Sequence, residues 1–358
     1  MVKTIRLGKQ EIGENKPVFI TFEAGPTHNG IESAKKMLIA AAEVGANAIK
    51  FQKVDPDRSC PDKKLLFEYD VLIDKATGQS EKIKEPLYDI LTRRYLTELQ
   101  FKELANLANR LGIEIFSTVQ FPEDIKFFKD LNFKTIKIAS TNLTNYQLIK
   151  VAAKSGMMIQ LDTGMSQISD IEKTIDFFKS EGGCDFIIHN CPSGYPAKID
   201  SINLNMIPML KSLFGMPVAY SDHTDGHIMD IAAISKGANL IEKTITEDRL
   251  QQSVEHIMSI ELTELSKFIK TIREVEKAFG STRRVLNKNE TIQKNKIKRS
   301  IFLIKDKLKG SYVLDEDVEM KMDPNGISYP IFNELKRYPL LRNCKKNEKL
   351  TYKDFQFE

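Results

Sequence analysis

The sequence predicts an α/β protein built as a (β/α)8 TIM barrel with a small C-terminal module, and three observations carry that prediction. Short apolar, β-rich runs recur eight times within the first 245 residues, with amphipathic helical patterns between them. Strand after helix at this spacing means βα units and a parallel sheet, and eight such units in this length suit a closed barrel better than an open doubly wound sheet. No G-x-G-x-x-G follows any of the strands, which weakens the dinucleotide-binding alternative.

The strands are read at Val18–Ala24, Ala46–Phe51, Ile113–Ser117, Thr135–Ala139, Met157–Leu161, Phe186–His189, Pro217–Ala219 and Leu240–Lys243. Helical periodicity fills Glu32–Val44, Thr97–Leu111, Pro122–Leu131, Asn145–Ser155, Ile168–Ser180 and Ile228–Lys236. Gly45-Ala46, Leu111-Gly112 and Gly237-Ala238 mark helix stops just before strands. The second spacing is anomalous, because roughly sixty residues separate Phe51 from Ile113. The excess, Pro56–Arg94, is polar and charged, and long loops at the C-terminal face of a barrel handle substrate. After a helix at Glu261–Phe279 comes an Asn/Lys-rich stretch, Asn287–Lys298. The expected division is a barrel over 1–283, a linker over 284–298 and a module over 299–358. That module has a strand near Ser300–Ile304 and turns at Lys309-Gly310 and Asp323-Pro324-Asn325-Gly326. About sixty residues is small for an independent core, so the module is expected to lean on another surface.

Composition narrows the class. The 358 residues are 41% hydrophobic and 28% charged, which excludes a disordered chain. No run of about 18 apolar residues exists, and the first residues lack the apolar stretch of a secretory signal. Cys60, Cys184, Cys191 and Cys344 are scattered with no C-x-x-C pair, as expected of free thiols in the cytoplasm. The net charge of +4 is uneven: Arg283–Lys309 carries +8, which leaves −4 elsewhere. The basic block lacks interleaved aromatics and the main body is acidic, so neither nucleic acid nor a membrane is the expected partner. A solvated linker near an anionic-substrate site accounts for it better.

Catalytic groups of a barrel cluster at strand C-termini. Here those ends carry Glu23, Thr27-His28-Asn29-Gly30, Lys50 with Gln52, Ser117-Thr118, Lys137 with Ser140, Asp162-Thr163, Ser193 with Tyr195, Ser221-Asp222-His223-Thr224 and Glu242-Lys243-Thr244. Lys50 and Lys137 each interrupt an apolar strand, where an unpaired ammonium is costly. They are either outward lysines that snorkel or two cations converging on a phosphate or carboxylate, helped by the Thr118 and Ser140 hydroxyls. A Schiff-base lysine is a third possibility, but it needs one desolvated lysine rather than two. His223 is a structural histidine or a ligand, with His28 and His256 able to join it only through folding. Glu23 is suited to act either as a general base or as a salt-bridge partner.

These residues carry a family pattern. EAGPTHNG (Glu23 to Gly30), IKFQ (Ile49 to Gln52), FST (Phe116 to Thr118), KIAS (Lys137 to Ser140), DTGM (Asp162 to Met165), NCPSGYP (Asn190 to Pro196), YSDHT (Tyr220 to Thr224) and EKTIT (Glu242 to Thr246) follow in order. The chain resembles the sialic acid synthases, comprising N-acetylneuraminate synthase and its legionaminate and pseudaminate relatives, over nearly its whole length. Its tail, with Arg299-Ser300 and Asn325-Gly326-Ile327-Ser328, resembles the family's antifreeze-like SAF module.

The resemblance implies condensation of phosphoenolpyruvate (PEP) with an N-acylated hexosamine to give a nonulosonic 2-keto acid and phosphate. By the same resemblance Glu23, Glu242 and His223 are catalytic. PEP is held by Lys50, Thr118, Lys137, Ser140, Ser193, Tyr195 and Ser221, and the sugar by Gln52, Asn29 and His256. A divalent metal, manganese or magnesium, is implied on two histidines, and so is a homodimer in which the SAF module of one protomer caps its partner's barrel. Three positions depart from the pattern. The second metal histidine is Thr244, an Arg that reaches the partner's sugar site is Met322, and an Asn of the opening motif is Thr27. A hydroxyl in place of an imidazole is a poor ligand, so the metal is expected to bind weakly at His223 or to be absent. A related barrel lyase or aldolase and a non-catalytic sugar- or phosphate-binding descendant are the competing expectations. Retention of Glu23, Lys50, Lys137 and Glu242 argues against the last.

Overall fold

Eight parallel strands pair in sequence order: β1 Phe19–Glu23, β2 Ala48–Gln52, β3 Glu114–Thr118, β4 Thr135–Ile138, β5 Met158–Asp162, β6 Phe186–Asn190, β7 Val218–Asp222 and β8 Leu240–Thr246. β8 pairs with both β7 and β1, which closes the barrel. The computed structural model that shows this describes residues 2–357. Around the strands run α1 Ile31–Glu43, α2 Glu98–Leu111, α3 Pro122–Asp130, α4 Tyr146–Ser155, α5 Ile168–Ser180, α6 Met206–Phe214, α7 Ile228–Ser235 and α8 Leu265–Phe279. α6 was not among the helices read from periodicity, since its IPML run is apolar on nearly every side.

Local chemistry explains the boundaries. Thr97 and Gln100 form a reciprocal capping box at the start of α2, and Asn145 accepts from the Leu148 N–H to start α4. α2 and α4 end on Gly112 and Gly156 with φ of 72° and 73°, a left-handed conformation that residues with a Cβ resist. Outward strand residues such as Ile49, Phe51, Ile136 and Ile138 are buried in one continuous core with α-helical Met37, Leu38, Phe101, Leu104 and Ile125. At the N-terminal end of the barrel sits a small hairpin, Ile5–Leu7 with Gln10–Ile12. It is tied there by Lys3 N donating to Gly215 O (2.8 Å) and Asn239 Nδ2 donating to Gly13 O (3.0 Å).

The long second connection is ordered rather than a loop. It holds a short helix, Pro56–Ser59, an antiparallel hairpin, Leu66–Asp74 with Gln79–Pro86, and a helix, Leu87–Arg93. The alternation in Tyr69-Asp70-Val71 and the turn through Gly78 are the hairpin signals that the high charge of the segment obscured.

The chain divides into two compact units, Met1–Gly280 and Ser281–Glu358. The stretch expected as a linker carries a helix, Lys288–Ile297, started by an Asn287–Glu290 capping box and burying none of its residues. The second unit pairs Arg299–Leu303 with Val318–Met322 and has its own core, including Ile301, Leu303, Phe332, Leu340 and Phe355. Among the described residues no helix is long and apolar enough to cross a membrane.

Candidate active site

Side chains alternate in and out along each strand, and the strand register decides which inward groups become neighbours. Lys50 lies beside Glu23, Glu23 beside Thr244, Glu242 beside Ser221, Lys137 beside Gln160, and His189 beside Asp162. All nine are buried, and the polar layer they form floors a cavity of about 710 Å³ at the C-terminal ends of the strands.

Neither lysine snorkels outward. Lys50 Nζ lies 2.5 Å from Glu23 Oε2 and 2.8 Å from Glu242 Oε1, and reaches the Thr118 hydroxyl at 3.4 Å. Lys137 Nζ, wholly buried, lies 2.8 Å from Glu242 Oε2 and 2.9 Å from Asp162 Oδ1, and donates to Ser221 Oγ at 3.2 Å. Glu242 therefore bridges the two ammoniums with one oxygen on each. Burial raises its pKa, but Lys137 and Lys50 outweigh that and hold it well below the usual carboxylate range. For Glu23 burial wins: it pushes the pKa up to about 6, aided by Glu242 and Glu255 and opposed by Lys50. Three carboxylates (Glu23, Glu242, Asp162) against two ammoniums leave an excess negative charge when all are ionised. Glu23, the group with the raised pKa, is where a proton relieves it.

His189 completes the floor. Its Nδ1 lies 3.0 Å from Lys137 Nζ and 2.9 Å from Ser221 Oγ, and its Nε2 lies 2.9 Å from Gln160 Oε1. Because the lysine can only donate, Nδ1 accepts and Nε2–H donates to Gln160, which assigns one neutral tautomer. Burial, reinforced by Lys137, pushes its pKa down to about 3, so the ring stays uncharged.

On the β4–β6 side, Ser140 opens a short turn, Ser140–Asn142, and Ser193 follows β6. A Cβ built on Gly164 would fall 2.8 Å from Ser140 Oγ, 2.8 Å from Cys191 O and 3.1 Å from Ser193 Oγ. The absent side chain at 164 is what lets these two hydroxyls approach each other. On the loop that holds Ser193, the Pro192 carbonyl bonds His223 Nδ1 at 2.9 Å, which leaves Nε2 as the free nitrogen of that histidine, whose ring lies 4.7 Å from that of Tyr195.

The expected residues separate into three groups. Glu23, Lys50, Gln52, Thr118, Ser140, Ser193, Tyr195, His223, Glu242 and Thr244 line the cavity. Lys137 and Ser221 lie just beneath it in the buried floor. Asn29 and His256, expected to contact sugar, do not line it. Asn29 is exposed at the start of α1, and buried His256 spends Nδ1 on the Thr246 hydroxyl at 2.7 Å. Sequence reading missed His189, Gln160, Glu255 and Arg94 as site residues and left Asp162 without a role. Strand parity places His189 and Asp162 on the inward face, whereas Arg94 arrives only through the inserted hairpin and helix.

The donor set does not make the two-imidazole metal centre that the resemblance implied. Thr244 Oγ1 is occupied in donating to Glu255 Oε2 at 3.2 Å, so His223 Nε2 is the one nitrogen offered. Among the described residues no three His, Cys, Asp or Glu side chains cluster to hold an ion.

A closed barrel whose mouth carries a buried lysine–carboxylate bridge ringed by hydroxyls belongs to the class that binds small anionic substrates at strand ends. The NeuB family model matches residues 37–284, and the chain belongs to the NeuB family. It is 32% identical over 327 residues to the N,N'-diacetyllegionaminic acid synthase of Legionella pneumophila, covering 88% of each chain. To the pseudaminic acid synthase of Campylobacter jejuni it is 30% identical over 346 residues, covering 96% of this chain and 98% of the other. The crystal structure of N-acetylneuraminic acid synthetase from Leptospira borgpetersenii, in complex with citrate, superposes with a TM-score of 0.70 at 30% identity, over 82% of this chain and 95% of that one.

Proposed function

We propose that this protein condenses PEP with the open-chain aldehyde of an N-acylated hexosamine, giving a nonulosonic 2-keto acid and inorganic phosphate. The observation that carries the reading is the Lys50–Glu242–Lys137 bridge, set beneath the Thr118, Ser140 and Ser193 hydroxyls in a chain of the NeuB family. Charge-assisted donors in a site of low water content hold phosphate and carboxylate oxygens. Both ammoniums are already paired, so the arriving anion shares them with Glu242 and Asp162.

In the reaction, carbon 3 of PEP attacks the aldehyde carbon and forms the new C–C bond, and the aldehyde oxygen takes a proton to become a hydroxyl. Water adds to carbon 2. The C2–O bond to phosphate then breaks as the new C2 hydroxyl passes its proton to the departing phosphate, leaving the 2-keto acid. Glu23, fixed by the Gly25 N–H at 2.6 Å and Gln52 Nε2 at 3.2 Å, receives the proton that water gives up. A pKa near 6 suits that role, because a more basic carboxylate abstracts a proton more readily near neutral pH. Glu242 fixes the ammoniums relative to each other, and His223 Nε2 is the atom left to meet acceptor hydroxyls.

The second unit is proposed to be an SAF module that caps the barrel of a partner protomer in a homodimer, and the enzyme to work in the cytoplasm, where its four free thiols stay reduced. The deciding experiment is PEP-dependent phosphate release against a panel of N-acyl hexosamines, with and without manganese or EDTA. Release that requires both substrates and yields a product of their combined carbon count supports the reading. PEP that binds but is never consumed with any acceptor refutes it.

A further inference from the structure

Arg94 is a buried cation for which the described residues provide no ion-pair partner. It follows the inserted helix Leu87–Arg93, is 8% exposed, and lines the cavity. Its Nη2 donates to the neutral Ser253 hydroxyl at 3.3 Å, its Nε–H has no acceptor, and among the described residues no carboxylate lies within 4.0 Å. Every other buried cation here is paired: Lys50 with Glu23 and Glu242, Lys137 with Glu242 and Asp162, and Lys243 with Asp222. Burial of a charge without a partner is costly, and a guanidinium presents a planar fork suited to a carboxylate or phosphate.

Arg94 lies on the β8–β1 side of the mouth, apart from the Ser140 and Ser193 hydroxyls. Ser253, its one hydrogen-bond partner, follows β8 and reaches toward Pro26 O after β1 at 3.5 Å. Lys137, Ser140 and Ser193 lie on the β4–β6 side, across the mouth of an eight-stranded barrel. Position 322, where the resemblance implied an arginine donor for sugar, is an exposed methionine. Glu255 and Glu23 act on Arg94 only from beyond ion-pair distance and do not offset its burial, and neighbouring His28 has both ring nitrogens unpartnered and is kept neutral by burial and by Arg94.

We propose that Arg94 is an acceptor-binding residue of this enzyme and selects an aldose that carries an anionic group, a carboxylate or a phosphate ester, at the end remote from the aldehyde. This rests on the condensation reading above and names the class of its second substrate. PEP brings its own anions to the lysines, so the charge left for Arg94 comes from the acceptor.

The test uses the full chain with N-acetylhexosamines of manno and gluco configuration, each as the neutral sugar, the 6-phosphate and the uronate. In the wild type, kcat/KM for one anionic series exceeds the neutral series at least about tenfold, and the better series identifies phosphate or carboxylate. Arg94→Leu lowers that ratio by about ten- to hundredfold, the worth of one or two charge-assisted hydrogen bonds. Arg94→Lys, which keeps the charge and the fold but not the fork, lowers it by an intermediate factor. Calorimetric PEP affinity separates the two readings. Wild-type protein that binds PEP yet neither binds nor turns over either anionic series overturns the Arg94 assignment, as does a wild-type preference for neutral sugars. Loss of PEP affinity in Arg94→Leu also overturns it by placing Arg94 at the PEP corner. Protein that binds the anionic sugars through Arg94 but never consumes PEP overturns the condensation reading instead.

Discussion

Replacing Lys137 with methionine tests the bridge most sharply, because it removes the charge while nearly preserving volume. Lys137 is wholly buried and touches Glu242, Asp162, His189 and Ser221 within 2.8–3.2 Å. Its loss leaves three buried carboxylates facing Lys50 alone, and breaking a buried ion pair costs about 3–5 kcal/mol. At about 2 °C per kcal/mol for a unit of this size, the barrel transition should fall by roughly 6–10 °C. The sign of the pH dependence follows from the carboxylates. Lys137 holds Glu242 and Asp162 below their unfolded values, so the stability it lends is present above about pH 4 and is lost as pH falls through the folded pKa values. The variant's deficit is thus full at pH 7 and shrinks toward pH 3. PEP affinity should drop by about ten- to hundredfold through the lost charge-assisted contact. Scanning calorimetry at pH 7 and pH 3 and isothermal titration with PEP measure both. A transition within 2 °C of wild type at pH 7, with unchanged PEP affinity, would refute the bridge as both stabiliser and anion site.

Glu23→Gln should lower kcat by about 10²–10⁴, the usual worth of a general base. In the wild type turnover should rise with pH through about 6 while PEP affinity falls, and both trends should vanish in the variant. Gly164→Ala should raise the KM for PEP and cost some stability, since the added methyl strikes the Ser140 hydroxyl and the Cys191 backbone carbonyl; an unchanged KM in the folded variant would show that this corner does not bind PEP. Thr244→His should tighten manganese binding at least tenfold by titration calorimetry, and no change in metal affinity would mean His223 and position 244 do not share a ligand site. Deleting 299–358 should leave a folded barrel without activity and convert a dimer to a monomer by light scattering; a fully active monomer would remove the partner-capping proposal.

The sequence by itself determined the barrel, because eight short apolar runs separated by amphipathic helices have no other economical parallel packing, and strand ends are local features of a βα unit. It also picked out Glu23, Lys50 and Glu242 as polar residues at strand ends, since a charge inside an apolar run stands out in one dimension. What it left undecided was whether those lysines were free or paired, for pairing depends on groups far apart in the chain. Lys137 meets Glu242 across 105 residues because both point inward from a closed sheet. His189 was hidden by lying within an apolar strand, and its neutral tautomer exists only because Lys137 and Gln160 sit on opposite sides of the ring. Arg94 belonged to a segment that looked like solvated loop. Only the hairpin and helix formed there carry its guanidinium to the loop after β8 and bury it with no ion-pair partner among the described residues, a cost that appears once water has been removed by the fold.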